Sequence, residues 1–286
     1  MPILGIVSGA IRLPITLDYL VVAGGGGGYI SGGDMAGGGA GGFRCTVTAS
    51  GGTPGTVETA LSLFTSISYT ITVGGGGTGA NPPADGNPSV FDSITSTGGG
   101  RGNINIAGAN GGSGGGAGGN FPPHTTAGLG TPNQGFAGGT SISDGATYTS
   151  TGGGGGASGV GGNGTFASGA GNGGNGVTTN ISGSSVTYGG GGGGASNIRP
   201  DGTGGSGGGG TQSVGDGTAN TGGGCGAKGA VNFSGSVNGG SGIVILRYDQ
   251  SKTITIGGGL TGSESAPSGG YKRATFTAGT GTVSFA

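Results

Sequence analysis

Glycine decides what this chain can become. It supplies 88 of the 286 residues, and it comes in runs. Gly24–Gly28, 37–42, Gly74–Gly77 and Gly98–Gly100 are followed by tracts across 111–119, 152–156, 159–164, 169–176, 189–194, 204–210 and 222–226. Glycine costs about 1 kcal/mol per helical site relative to alanine, and no segment shows a 3.6-residue apolar period, so helices are excluded. Collagen needs glycine strictly every third residue and abundant proline. Here the glycines are contiguous and only 11 residues are proline. A flexible Gly/Ser linker is the remaining disordered reading. Two features oppose it. Only 7 % of residues are charged, unlike a solvated disordered segment, and strand-like segments recur between the runs.

The strand signals are short and β-branched or aromatic. Leu17–Ala23 runs directly into Gly24–Gly28, and Phe43–Thr48 follows the second run. Leu61–Val73 alternates at Leu61, Leu63, Tyr69, Ile71 and Val73 and reads as a half-buried strand pair. Val90–Thr95 reads as one short strand ahead of Gly98–Gly100. Ile243–Tyr248 is a continuous apolar run that reads as a buried strand, and Thr253–Ile256 and Thr275–Phe285 supply further strands.

With a hydrophobic share of 30 %, too few large side chains exist for an ordinary core. An extended helix of the polyproline-II type has three residues per turn and no internal hydrogen bonds, so its amides and carbonyls point outward. Glycine has no Cβ, so such helices can approach closely enough to bond one another. Ordering a residue costs about 1–2 kcal/mol and a net hydrogen bond returns about 0.5–1.5 kcal/mol. The lattice is near break-even alone and must be clamped by apolar strands, for which Leu20–Val22, Leu61–Val73 and Ile243–Tyr248 are the candidates. The expected fold is therefore mostly irregular and all-β. It is a bundle of polyglycine-II helices clamped by short β-strands, with essentially no α-helix. Residues 1–16 form an apolar segment, 17–249 the glycine-rich domain and 250–286 a C-terminal strand segment.

The chemistry inventory is thin. The formal net charge is -1, which excludes a polybasic nucleic-acid or membrane binder. G-x-G-x-x-G matches are trivial at this glycine content, and no G-K-[ST] accompanies them. The only histidine, His124, has no second ligand nearby, and Asp144, Asp201 and Asp216 lie in x-D-G sequences that read as turns. Cys45 and Cys225, 180 positions apart, read as small buried packing residues. No enzyme activity, cofactor or metal is expected. No basic leader with a cleavage site and no apolar span of membrane length is read, so the expectation is a soluble chain made in the cytoplasm, without membrane insertion.

The connectors between glycine runs are the places that can bind. Phe136, Tyr148 and Phe166 read as caps on the lattice. Two connectors are the candidates for outside contact: Phe121, Pro122, Pro123 and His124, and Asn197, Ile198, Arg199 and Asp201. The N-terminal residues Ile3, Leu4, Ile6, Val7, Ile11 and Leu13 have no reason to be apolar in a free terminus and read as a docking segment.

Several segments carry a family likeness. They are Asp18–Gly28 (DYLVVAGGGGG), Met35–Phe43 (MAGGGAGGF), Ser68–Gly77 (SYTITVGGGG), Ser89–Gly100, Asn220–Gly226 and Gly239–Tyr248 (GGSGIVILRY). In this order they resemble the glycine-rich domain of bacteriophage tail-fibre and adhesin-type virion proteins, across residues 17–249. The resemblance implies a virion component that displays loops toward a host outer-membrane protein or surface glycan. It further implies a homo-oligomer, with a trimer expected, attached to other virion proteins through its N-terminal segment. The other reading is a purely structural virion part: a capsid decoration, head fibre or tail adaptor. Domains of this type usually carry an F-T-x-x-G-T-V strand ahead of L-V-V-A-G-G-G. Here a similar segment, Ala274–Phe285, comes last, and it is expected to pair beside Leu17–Ala23, either in the same subunit or in a neighbouring one as a strand-exchanged oligomer.

Overall fold

The computed structural model describes residues 12–30, 35–102, 107–119, 126–211, 215–227 and 235–286. Among these there is no helix. The strands are β1 (Pro14–Val22), β2 (Gly28–Ile30), β3 (Phe43–Cys45), β4 (Leu61–Phe64), β5 (Ser68–Val73), β6 (Ser89–Phe91), β7 (Ile94–Ser96) and β8 (Ile142–Ser143). They continue with β9 (Thr149–Ser150), β10 (Val177–Thr179), β11 (Val186–Tyr188), β12 (Gly235–Val237), β13 (Ile243–Asp249), β14 (Ile254–Ile256), β15 (Leu260–Glu264) and β16 (Tyr271–Phe285).

Ten strands form one antiparallel sheet in the order β3-β1-β13-β16-β5-β6-β7, with β4 on β1 and β14 and β15 on β16. Strand β4 pairs with the start of β1 and leads through a short turn into β5, while Ser66 N–H donates to the Phe285 carbonyl. The sheet thus curls into a nearly closed ring. Alternation sorts the side chains. Leu17, Tyr19 and Val21 of β1 and Val244, Leu246 and Tyr248 of β13 pack inside the ring, with Ile71, Phe91, Phe276 and Phe285. Leu20, Val22, Ile243 and Ile245 face the other way, onto Phe43, Ala157, Ile181 and Tyr188.

Two sequence expectations change. Ala274–Phe285 does not lie beside Leu17–Ala23. Strand β16 pairs with β13, and β13 occupies the place next to β1 (Val21 opposite Val244). The continuous apolar face of Ile243–Tyr248 earned the central position because it is buried on both sides. Val90–Thr95 is not one strand but the hairpin β6–β7, turned at Asp92, whose φ of 52° is in the left-handed region.

The glycine tracts continue the strands and bond to one another in a threefold register. Gly24 N–H donates to Asn87 (3.0 Å), Gly25 to Gly240 (2.9 Å) and Gly26 to Gly39 (2.9 Å); Gly27 then returns to the first neighbour at Ala84 (3.0 Å). Return after three residues is the signature of a three-residue turn. Tract 37–42 repeats the pattern. Gly37, Gly38 and Gly39 donate to Gly152, Cys225 and Gly100, and Ala40, Gly41 and Gly42 return to those tracts at Gly155, Gly222 and Thr97. Its carbonyls accept from three others, through Gly26, Ser113 with Gly116, and Gly192. It therefore has six neighbours. Tracts 24–27, 113–117, 151–156 and 189–195 are surrounded in the same way.

Side chains close both ends of this lattice. At one pole Val22, Phe43, Ala157, Tyr188 and Ile243, each adjoining a tract, meet in one cluster against the sheet. At the other, Met35, Ala195, Cys225, Ala227 and Val237 form a small plug. Cys45 and Cys225 are both free and buried, as expected, and burial pushes the Cys225 thiol up to about 12.

A Cβ on Gly192 would fall on the carbonyl of Cys225, whereas one on Gly258 would meet nothing within 4 Å. Gly192→Ala is expected to destabilise the fold by about 3 kcal/mol or more, and Gly258→Ala to change it by less than about 0.5 kcal/mol. Denaturant unfolding of the two variants checks the contrast.

Candidate functional site

The tracts that join the sheet all reach it at one end. Connectors at the opposite end make a second pole, beyond the plug of Met35, Ala195 and Val237. Three of them are bonded into one platform: 142–150 with the hairpin β8–β9, 165–170, and 196–201. Ser196 is the centre. Its hydroxyl donates to the Thr149 carbonyl (3.0 Å) and lies 2.8 Å from the Ser150 hydroxyl. Asn197 Oδ1 accepts from Thr149 N–H (3.1 Å) and its Nδ2 donates to the Thr147 carbonyl (2.8 Å). Tyr148 Oη donates to the Thr165 carbonyl (2.7 Å), and Ala170 N–H donates to the Pro200 carbonyl (3.0 Å).

Asp144 sets the hairpin tip. Its Oδ1 accepts the backbone N–H groups of Ala146, Thr147 and Tyr148 at 2.8–2.9 Å. The bond from Tyr148, then those from Ala146 and Thr147, hold its carboxyl well below the usual carboxylate range. This is the turn role expected of Asp144. Asp201 Oδ1 accepts from Ser196 N–H (2.6 Å) and closes its own connector across the bend at 197–199. Asp216 departs from the turn expectation: its Oδ1 accepts from Asn238 N–H (2.7 Å) and ties two segments together.

The candidate contact residues divide accordingly. Asn197 and Asp201 are spent on internal bonds, while Ile198 (63 % exposed) and Arg199 project outward. Phe121, Pro122, Pro123 and His124 lie outside the described residues, as do Ile3, Leu4, Ile6, Val7 and Ile11. Leu13 is exposed at the start of β1, where it exchanges bonds with Thr65, and Phe64, opposite Pro14, is exposed as well. Of the three expected caps, Tyr148 is buried and Phe136 half-buried. Phe166 is 47 % exposed and lies over Tyr148 with ring centroids 5.1 Å apart. It belongs to the outer surface of the platform with Ile198 and Arg199. Local sequence gave no sign of this, because the platform joins residues from 17 to 50 positions apart.

Away from the platform, one carboxylate gathers three side chains. Glu58 accepts from Arg44 (2.7 Å), Tyr19 (2.6 Å) and Ser50 (2.8 Å). Burial raises its carboxyl, but these bonds, led by that from Arg44, outweigh it and the net shift is downward. Among the described residues no three His, Cys, Asp or Glu side chains are grouped to hold a metal ion, and no helix is long and apolar enough to cross a membrane. A groove of about 290 Å³ on the lattice flank is lined by Leu129, Pro132, Phe136, Val160 and Thr53 with glycine and alanine backbone, and no titratable group enters it.

A family model described as a glycine-rich domain matches residues 9–249, from the N-terminal segment to the end of β13. The chain belongs to this glycine-rich domain family. No curated protein and no solved structure matches the chain. The family region stops before β14–β16, so the strand that links β13 to β5 comes from outside it.

Because the folded Asp144 carboxyl is depressed, its contribution to the hairpin is fully present above the unfolded value of about 3.9 and is lost only as pH falls through the lower folded value. Amide chemical shifts of Ala146–Tyr148 are therefore expected to stay in place down to roughly pH 3. Asp144→Ala is expected to collapse those shifts toward coil values at neutral pH.

Proposed function

We propose that this protein is a non-enzymatic structural component of a bacteriophage particle. In this reading it is a tail-fibre or tail-tip adhesin that presents the loop pole to the host surface. The observation that carries the reading is the separation of the two poles. Strand β1 starts at the end remote from the tracts, where Leu13 and Phe64 are exposed. The platform of Phe166, Ile198 and Arg199 stands at the opposite end of the tracts. Strand β1 and the tract behind it together span roughly 45 Å at about 3.3 and 3.1 Å per residue. One end is thus free for docking to other virion proteins while the other faces outward. Aromatic and arginine side chains on a backbone already fixed by hydrogen bonds lose little freedom on binding, which is the economy a recognition surface needs. The partner would be an outer-membrane protein or a surface glycan, and the working form a homo-oligomer, with three copies the proposed number.

The test is binding of the purified protein to bacterial cells that the intact particle infects. Replacing Phe166, Ile198 and Arg199 together by alanine, or Phe121–His124 by Gly-Ser, is expected to weaken binding about tenfold or more with the unfolding transition unchanged. Full binding by both variants would overturn the adhesin reading.

A further inference from the structure

The chain contains nine Asn-Gly or Asp-Gly dipeptides, and eight of them do the same thing. In five, the side-chain oxygen accepts the N–H of a residue on the neighbouring segment while the following glycine donates to the carbonyl of that same residue. Asn110-Gly111 holds Leu129 in this way (2.7 and 3.1 Å), and Asn163-Gly164 holds Thr140 (2.9 and 2.9 Å). Asn172-Gly173 holds Thr203 (2.8 and 2.8 Å), Asn175-Gly176 holds Ser206 (3.1 and 2.8 Å) and Asp216-Gly217 holds Asn238 (2.7 and 2.8 Å). In the other three the two bonds fall two residues apart on the neighbour. Asp85-Gly86 takes Arg101 and Gly99, Asp201-Gly202 takes Ser196 and Gly194, and Asn238-Gly239 takes Gly79 and Gly77. Only Asp144-Gly145 is an ordinary turn.

These clamps lie at the rim of the lattice. All five asparagines involved are exposed, and so are Leu129, Thr203 and Ser206. A tract at the rim lacks a neighbour on one side, and its outward N–H has no carbonyl to meet. The Asx oxygen supplies one. Asparagine and aspartate serve equally, because only the acceptor oxygen is used.

The same geometry bears on chemistry. Asn-Gly is the dipeptide most open to deamidation, because glycine leaves its own nitrogen unhindered. The glycine nitrogen, having lost its proton, bonds to Asn Cγ, and the side-chain nitrogen leaves as ammonia. Water then opens the succinimide to aspartate or isoaspartate. In the clamp the glycine N–H is donated to a carbonyl and Oδ1 is held by a neighbouring N–H, so neither reacting group is free to turn toward the other. We propose that the Asx-Gly dipeptides are the edge clamps that terminate the lattice, and that closure of the clamp keeps the five Asn-Gly pairs from forming succinimide. Conversion to aspartate preserves the clamp. Conversion to isoaspartate inserts a methylene into the main chain and destroys the three-residue register.

Two measurements test this. Peptide mapping by mass spectrometry, after incubation at mildly alkaline pH, compares native and urea-unfolded protein. Deamidation at Asn110, Asn163, Asn172, Asn175 and Asn238 is expected to be at least ~10-fold slower in the native state. Equal rates in the two states would overturn the protective role. Amide hydrogen exchange then compares Asn172→Ala/Asn175→Ala with Asn172→Asp/Asn175→Asp. The alanine pair is expected to raise exchange at Thr203 and Ser206 by ~10-fold or more, and the aspartate pair to leave it near wild type. Unchanged exchange in the alanine pair, or aspartate behaving as alanine, would overturn the clamp. Should the alanine pair fail to fold, the mapping of the unaltered protein still decides.

Discussion

The structure depends on one close approach, main chain against main chain. Tracts such as 24–27 and 37–42 share amides and carbonyls with six neighbours, at a spacing that leaves no room for a Cβ. Each added hydrogen bond is worth about as much as ordering one residue costs, so the array cannot select itself. Selection comes from the side chains at its ends. Val22, Phe43, Tyr188 and Ile243 anchor four tracts to the sheet, and Met35, Cys225 and Val237 close the far end. Glycine makes the array geometrically allowed, and a modest number of apolar residues make it unique.

The sequence was most legible where side chains carry the information. Leu17–Ala23, Leu61–Val73 and Ile243–Tyr248 announce their strands through β-branched composition or alternation, and the glycine runs announce a bundle because no other order suits them. Partner choice was not legible. Nothing in Ala274–Phe285 says that β13 will stand between it and β1, because antiparallel pairing is settled by which strand is buried on both faces. The two-residue turn at Asp92-Ser93 was hidden inside an apparently continuous strand.

The candidate site shows the same division. Ile198 and Arg199 were readable as a connector, since they interrupt glycine tracts. Phe166 was not readable as their companion, because the contact runs through Ser196, Thr149 and Tyr148. Asx-Gly is a turn signal in ordinary chains, where the glycine takes a positive φ. In this lattice the same pair is used for its acceptor and donor, and only Asp144 keeps the ordinary meaning. The polarity of the molecule follows from this economy. One end is built from side chains and joins the apolar N-terminal segment; the other is built from short connectors fixed on a backbone frame.

Hydrogen exchange on the intact protein tests the account most directly. If the tracts are a bonded array, amides within 37–42 and 189–195 exchange only through global unfolding, as slowly as those of β1 and β13. Exchange of these glycine amides at the rate of a free Gly-Ser chain, with β1 and β13 still protected, would contradict it.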